Sequence, residues 1–239
     1  MRPYDCKHRE TLFVPAQLTQ PAFLQAFCLD IYLPYPIIIS VAEGYAMKDA
    51  IIHAFEESAQ VKVAFVRENV DKIVEVVQLI AQAFREGKKV LLFGNGGSAT
   101  DASHIAAEFV NRFLMERPPL PAIALNTDMA VLTSISNDYD FTQVFSKQLS
   151  ALGHEGDVVI AISTSGNSLN VIKALDIAKK NGMKTVVFTG GNGGKMANLA
   201  EYTFIVKTKV TARVQETHIT LGHAICQMVD EELFGNHHK

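Results

Sequence analysis

Two groups of reactive side chains lie far apart in this chain. His104 and Glu108 are four residues apart in a segment of helical periodicity, so they share one helix face. Gln215 and His223 lie on a second such segment, with Glu216 and His218 nearby. Eight residues separate them, which puts them within about 80° of each other around a helix axis. Imidazoles and a carboxylate can move protons as general acid and base, or hold a divalent metal. Spacing alone leaves those choices open. A lone helical histidine is more often solvated or simply hydrogen-bonded. Glu108 can pair with Arg112 one turn on, and glutamine is an uncommon zinc ligand.

A different chemistry is written at 94–98 and 163–168. Gly94, Asn95, Gly96, Gly97 and Ser98 follow an apolar run and open the helical segment that carries His104. Ser163, Thr164, Ser165, Gly166, Asn167 and Ser168 follow another apolar run and precede another helical pattern. Four hydroxyls, a glycine and the free amides of a helix start can hold an anion without Lys or Arg. The plainer reading of Ser168 is an ordinary serine helix cap. Neither stretch is a Walker loop, since GK[ST] is absent, and GNGGS lacks the glycine spacing of a dinucleotide site. Side by side at neighbouring strand ends, the two loops point to a phosphate.

These groups need a scaffold. Apolar recurrence at Ile51, Ile52, Phe55 and Ala59 predicts a first helix, and Val70, Ile73, Val76, Val77, Ile80, Ala81 and Phe84 predict a second, closed by Gly87. Short apolar runs at 89–93, 121–125, 158–162, 185–188 and 202–206 predict strands buried on both faces. Helical patterns at 99–114, 129–136, 142–150 and 168–181 separate them, and 212–233 predicts a long final helix. Such alternation gives an α/β fold with a parallel sheet and helices on both faces. The polar loops at 94–98, 126–128, 163–168 and 189–194 all fall at strand carboxyl ends, where open sheets of this kind bind ligands.

The bulk properties narrow the function. With 239 residues, 48% of them hydrophobic, the chain can build one α/β domain with a sizeable core. A net charge of −3 and no basic stripe give nucleic-acid binding no support. Cys6, Cys28 and Cys226 are odd in number and form no CxxC, which argues against a disulfide framework and fits a reducing compartment. No apolar run approaches 20 residues, so no membrane partner is expected. Residues 1–46 hold five of the eight prolines and break their own apolar stretch at Pro34 and Pro36. They are expected to be a poorly ordered extension or the product of a misplaced start, with the domain at 47–239.

The strings GNGGSATDASHIAAEFVNRF, RPPLPAIALNTD, ISNDY, GDVVIAISTSGNSLNVIKAL and TARVQETHITLGH together resemble the phosphoheptose isomerases. These sugar-isomerase (SIS) domain proteins convert sedoheptulose 7-phosphate. The resemblance covers nearly all of 48–234 and leaves out 1–46. It implies a three-layer SIS sandwich with a five-stranded parallel sheet and long N- and C-terminal helices. It implies a cytoplasmic homotetramer with active sites at subunit interfaces, so that the two distant stretches meet across an oligomer contact. Substrate contacts are implied at Asn95, Gly96, Gly97, Glu108, Asn137, Asp138, Ser163, Thr164, Ser165, Ser168 and Gln215. One zinc per subunit is implied at His104, Glu108, Gln215 and His223, with Glu108 and His223 in acid/base roles and Arg112 near the site. The implied product is D-glycero-D-manno-heptose 7-phosphate, formed through an enediol early in ADP-heptose and lipopolysaccharide core precursor synthesis. Ala212 departs from members with Asp there and removes one polar contact. The alternative reading is a non-catalytic SIS protein that binds the replication initiator DnaA: that branch, the DnaA initiator-associating protein, shares ERPxLPAIALNTD and ALGHxGDV with this chain. That branch lacks the Glu and the final His, whereas this chain has Glu108 and His223.

Overall fold

A computed structural model describes residues 41–235. Most of the expected extension and the His237-His238 tail, expected to be solvated, lie outside the described residues. The chain divides into two compact units, Met1–Asp49 and Ala50–Lys239. The described part of the first is helical from Val41, and the sheet and both reactive stretches belong to the second.

The two helices expected before residue 87 are one, α1 (Val41–Arg85). No Gly or Pro occurs between Met47 and Arg85 to interrupt it. It stops where expected: Gly87 takes φ 71°, and Lys88 N–H reaches back to Ala83 O at 2.9 Å. Then follow β1 (Val90–Gly94), α2 (Gly97–Val110), β2 (Ala122–Ala124), α3 (Met129–Asp138) and α4 (Val144–Leu152). The chain continues through β3 (Val158–Ser163), α5 (Leu169–Lys180), β4 (Lys184–Gly190), β5 (Tyr202–Val206) and α6 (Thr211–Phe234).

All strand pairs are parallel, in the order β2-β1-β3-β4-β5. Successive side chains of a strand face opposite ways, and two cores result. Val90, Leu92, Ile160, Ile162 and Phe188 pack with α1, α2 and α6. Leu91, Phe93, Val159, Ala161 and Val187 pack with α4 and α5. The central strands β1 and β3 are buried along their whole length, as their continuous apolar runs require. β2 departs from that reading. It is three residues long, lies at the sheet edge, and leaves Ile123 39% exposed.

Strand order reverses direction between β1 and β3, where Gly94 pairs with Ile162. At such a switch point the two following connections part to opposite faces and leave a crevice beyond the carboxyl ends. The loops flanking that crevice are 94–98 and 163–168.

Candidate active site

α2 carries the first reactive pair and α6 the second. The two stretches meet within one chain, whereas a meeting across an oligomer contact was expected. His104 Nε2 lies 2.8 Å from His223 Nε2 and 3.3 Å from Glu108 Oε1. One ligand atom from each of His104, Glu108 and His223 falls within 4.8 Å of the others. Gln215 is two turns before His223 on α6, and its amide lies against the start of α2. A Cβ built on Gly97 would stand 2.2 Å from Gln215 Nε2, so only glycine leaves room for that approach.

The cluster is half open to solvent: the His104 side chain is 50% exposed and that of Glu108 22%. Phe113 stacks on the His223 ring at 5.3 Å and fixes its plane. Burial holds His223 below the usual histidine range, His104 adds to this, and Glu108 opposes it. Asp101 sits one turn before His104. Burial pushes its carboxyl up to about 6, against the pull of His104, and its Oδ2 has no hydrogen-bond partner among the described residues. Arg112 pairs with Glu116 at 3.5 Å, and Glu108 faces His104 instead of Arg112.

Two imidazole nitrogens 2.8 Å apart can share only one proton, and a carboxylate oxygen beside them adds negative charge. Two imidazoles and a carboxylate are a donor set that suits a divalent cation. The residues present therefore fit the implied metal.

The second loop is locally built. Ser168 stands at the cap position of α5, yet its side chain caps nothing. Its Oγ faces Ser163 Oγ at 2.9 Å instead. The serine-cap reading is thus excluded. Gly166 takes φ 64°, and a Cβ there would lie 2.0 Å from Gly193 O. Thr164 and Ser165 line a cleft of about 220 Å³ with Gly190, Gly191, Thr208, Lys209 and Thr211.

Asn170 is a residue the sequence reading missed. It is 4% exposed and exchanges amide hydrogen bonds with Asn95 at 2.9 and 2.8 Å, tying the 94–97 loop to the first turn of α5. An Asn in the first turn of a helix that follows a Ser/Thr-rich loop was the available signal. Asn137 and Asp138, at the end of α3, bond only to each other among the described residues, at 2.8 Å. The single chain does not bring them into contact with the cluster.

Fold and site together define a SIS-domain protein: the SIS domain family matches residues 54–190. A phosphoheptose isomerase of Thermodesulfovibrio yellowstonii is 60% identical over 188 residues, 79% of this chain and 94% of that protein. One from Aquifex aeolicus is 56% identical over 77% of this chain and 97% of its own length. The solved phosphoheptose isomerase of Neisseria gonorrhoeae superposes with a TM-score of 0.73 at 41% identity, over 77% of this chain and 99% of that one. The chain belongs to the phosphoheptose isomerase family of SIS-domain proteins. Among the described residues no helix is long and apolar enough to cross a membrane.

Proposed function

We propose that this protein isomerises D-sedoheptulose 7-phosphate to D-glycero-D-manno-heptose 7-phosphate through an enediol. The observation that carries the reading is the convergence of Glu108, His104 and His223 in one chain, on helices that also border the two anion-type loops. Ser163, Thr164, Ser165 and Ser168 hold the phosphate, helped by the uncapped start of α5. That remote anchoring positions the carbonyl end. Asn95, Gly96, Gly97 and Gln215 border the sugar chain.

Glu108 takes a proton from C1 of the ketose while His223 gives one to the C2 oxygen, which yields the enediol. His223 then takes the proton from the C1 oxygen as Glu108 returns its own to C2, so no net proton is consumed. Oε1 of Glu108 faces His104, and Oε2 has no hydrogen-bond partner among the described residues. One carboxylate can thus serve as ligand and as base. His104, Glu108, Gln215 and His223 would hold zinc, one per subunit, which when bound polarises a carbonyl oxygen as a Lewis acid.

The enzyme is read as a homotetramer. Support comes from α1, which leaves Phe55, Val63, Val66, Val70 and Val74 exposed along its length, and from the half-open cluster, which a neighbouring subunit would cover. Asn137 and Asp138 would then complete the site from such a contact. A charged sugar phosphate does not cross a membrane unaided, which supports a reaction in the cytoplasm. The test is direct. Purified protein with sedoheptulose 7-phosphate, with and without added zinc, should form the aldose phosphate, seen by NMR. No conversion under either condition would contradict the assignment.

A further inference from the structure

The ERP string at Glu116–Pro118 supplies no side chain to the loops or to the His104/Glu108/His223 cluster, yet Arg117 is bonded five times over beside it. It follows α2 and its side chain is 1% exposed. Its Nε donates to Asp230 Oδ1 at 2.9 Å. Its Nη1 donates to the carbonyls of Phe109, Asn111 and Pro118 at 2.7, 3.1 and 3.2 Å. Its Nη2 donates to the carbonyl of Glu108 itself at 2.8 Å. The Glu108, Phe109 and Asn111 carbonyls belong to the C-terminal end of α2, where acceptors lack helical partners and positive charge is favoured. This also explains why α2 stops at Val110, short of the expected 114.

Asp230 lies on α6, about two turns beyond His223. One planar cation is therefore bonded at once to the backbone of the carboxylate residue and to the helix that bears the partner imidazole. Stability alone does not call for such a device, since well-packed apolar side chains often do as well as a buried ion pair. Asp230 Oδ2 is in fact left without a hydrogen-bond partner among the described residues. What the rigid five-donor fork supplies, and a lysine cannot, is geometry in several directions.

We infer that Arg117 is a positioning residue for the isomerisation. Its buried bridge from the end of α2 to Asp230 sets the separation of Glu108 and His223. The inference rests on the reading of those two residues as the acid/base pair. Arg117 makes no bond to β3, to α5 or to the 163–168 loop, so phosphate anchoring is outside its reach.

The test uses the full chain with two changes: the apolar double variant Arg117→Met/Asp230→Leu, which leaves no buried charge unpaired, and Arg117→Lys. Circular dichroism and thermal midpoint report folding, steady-state kinetics give kcat and KM, and chelator competition gives zinc affinity. Displacement of reacting groups on the scale of an ångström costs about 100-fold, and loss of support around metal ligands costs roughly 10–100-fold in metal affinity. The expected result is a folded double variant whose kcat falls roughly 10–100-fold and whose zinc affinity falls at least about tenfold, with KM nearly unchanged. Arg117→Lys should show the same pattern at smaller amplitude, and it decides the matter if the double variant does not fold. A folded variant with wild-type kcat and wild-type zinc affinity overturns the inference, as does a rise in KM at constant kcat. If the wild type binds zinc but turns over no sugar phosphate, the functional reading fails instead. The zinc comparison then decides this one.

Discussion

At 163–168 a strand, a loop and a helix start follow one another directly, so hydroxyls, turn and amides are neighbours in the chain. At the cluster, His104 and His223 are 119 residues apart and meet only because α2 and α6 pack together. The first region is neutral, rigidly turned at Gly166 and braced by the Gly194–Asn198 turn through Met196 N–H to Gly166 O at 3.0 Å. The second is ionisable, half open, and held from behind by the buried Arg117–Asp230 pair. A binding site for an invariant anion can be built locally. Proton-moving groups need independent adjustment of two elements, and a non-local pairing provides it.

Substitutions should separate the two regions. The largest effect is expected for Glu108→Gln, which removes the proposed base: kcat should fall by about 10³-fold with KM changed little, as steady-state kinetics would show. A comparable rise in KM would mean that Glu108 binds substrate more than it reacts. Next is His218, which joins the regions: it is buried on α6, and its Nε2 faces Thr189 O of β4 at 3.1 Å. Burial pushes it down to about 4, from 6.5 when free. Between those values the unfolded chain binds a proton that the folded chain refuses. Stability therefore falls as pH drops through that window, by about 3 kcal/mol in all. Asp101, raised to about 6, works in the opposite direction. The check is thus urea unfolding of wild type against His218→Gln from pH 7 to 4, where the difference between the two curves should carry that loss. Parallel curves would refute it.

A smaller change is expected at the loop. Ser168→Ala removes one hydroxyl from the proposed phosphate site and should raise KM roughly tenfold, the cost of one hydrogen bond to a charged group, with kcat nearly preserved. A loss in kcat instead would erase the distinction between anchoring and reacting regions. The smallest is Lys184→Ala at the exposed pair with Glu201, 3.2 Å apart, where thermal unfolding should show less than about 1 kcal/mol and activity no change.

The same contrast explains what the sequence disclosed. Strands β1, β3 and β4 were legible because unbroken apolar runs have one simple solution, a strand covered on both faces. β2 was legible as a strand but not as a half-exposed edge, because its neighbour order depends on the crossover. The loops at 94–98 and 163–168 were readable from residue type, since their parts are contiguous. The true partner of Ser168 was not: a serine before a helix looks like a cap, and only the turn at Gly166 aims it at Ser163. His104, Glu108 and His223 could be nominated by spacing, but their meeting needed the packing of α2 on α6 or a resemblance. Arg117, Asn170 and Asp101 went unseen because their roles lie in long-range or buried contacts that leave no periodic mark.

The most direct measurement is turnover of sedoheptulose 7-phosphate in deuterium oxide, followed by proton NMR. Proton removal by Glu108, whose side chain is 22% exposed, lets the abstracted proton exchange with solvent before it returns. The account predicts aldose 7-phosphate carrying deuterium at C2, with both product and label lost in Glu108→Gln. Aldose formed without any label, or label still entering C1 of the ketose in Glu108→Gln, would contradict it.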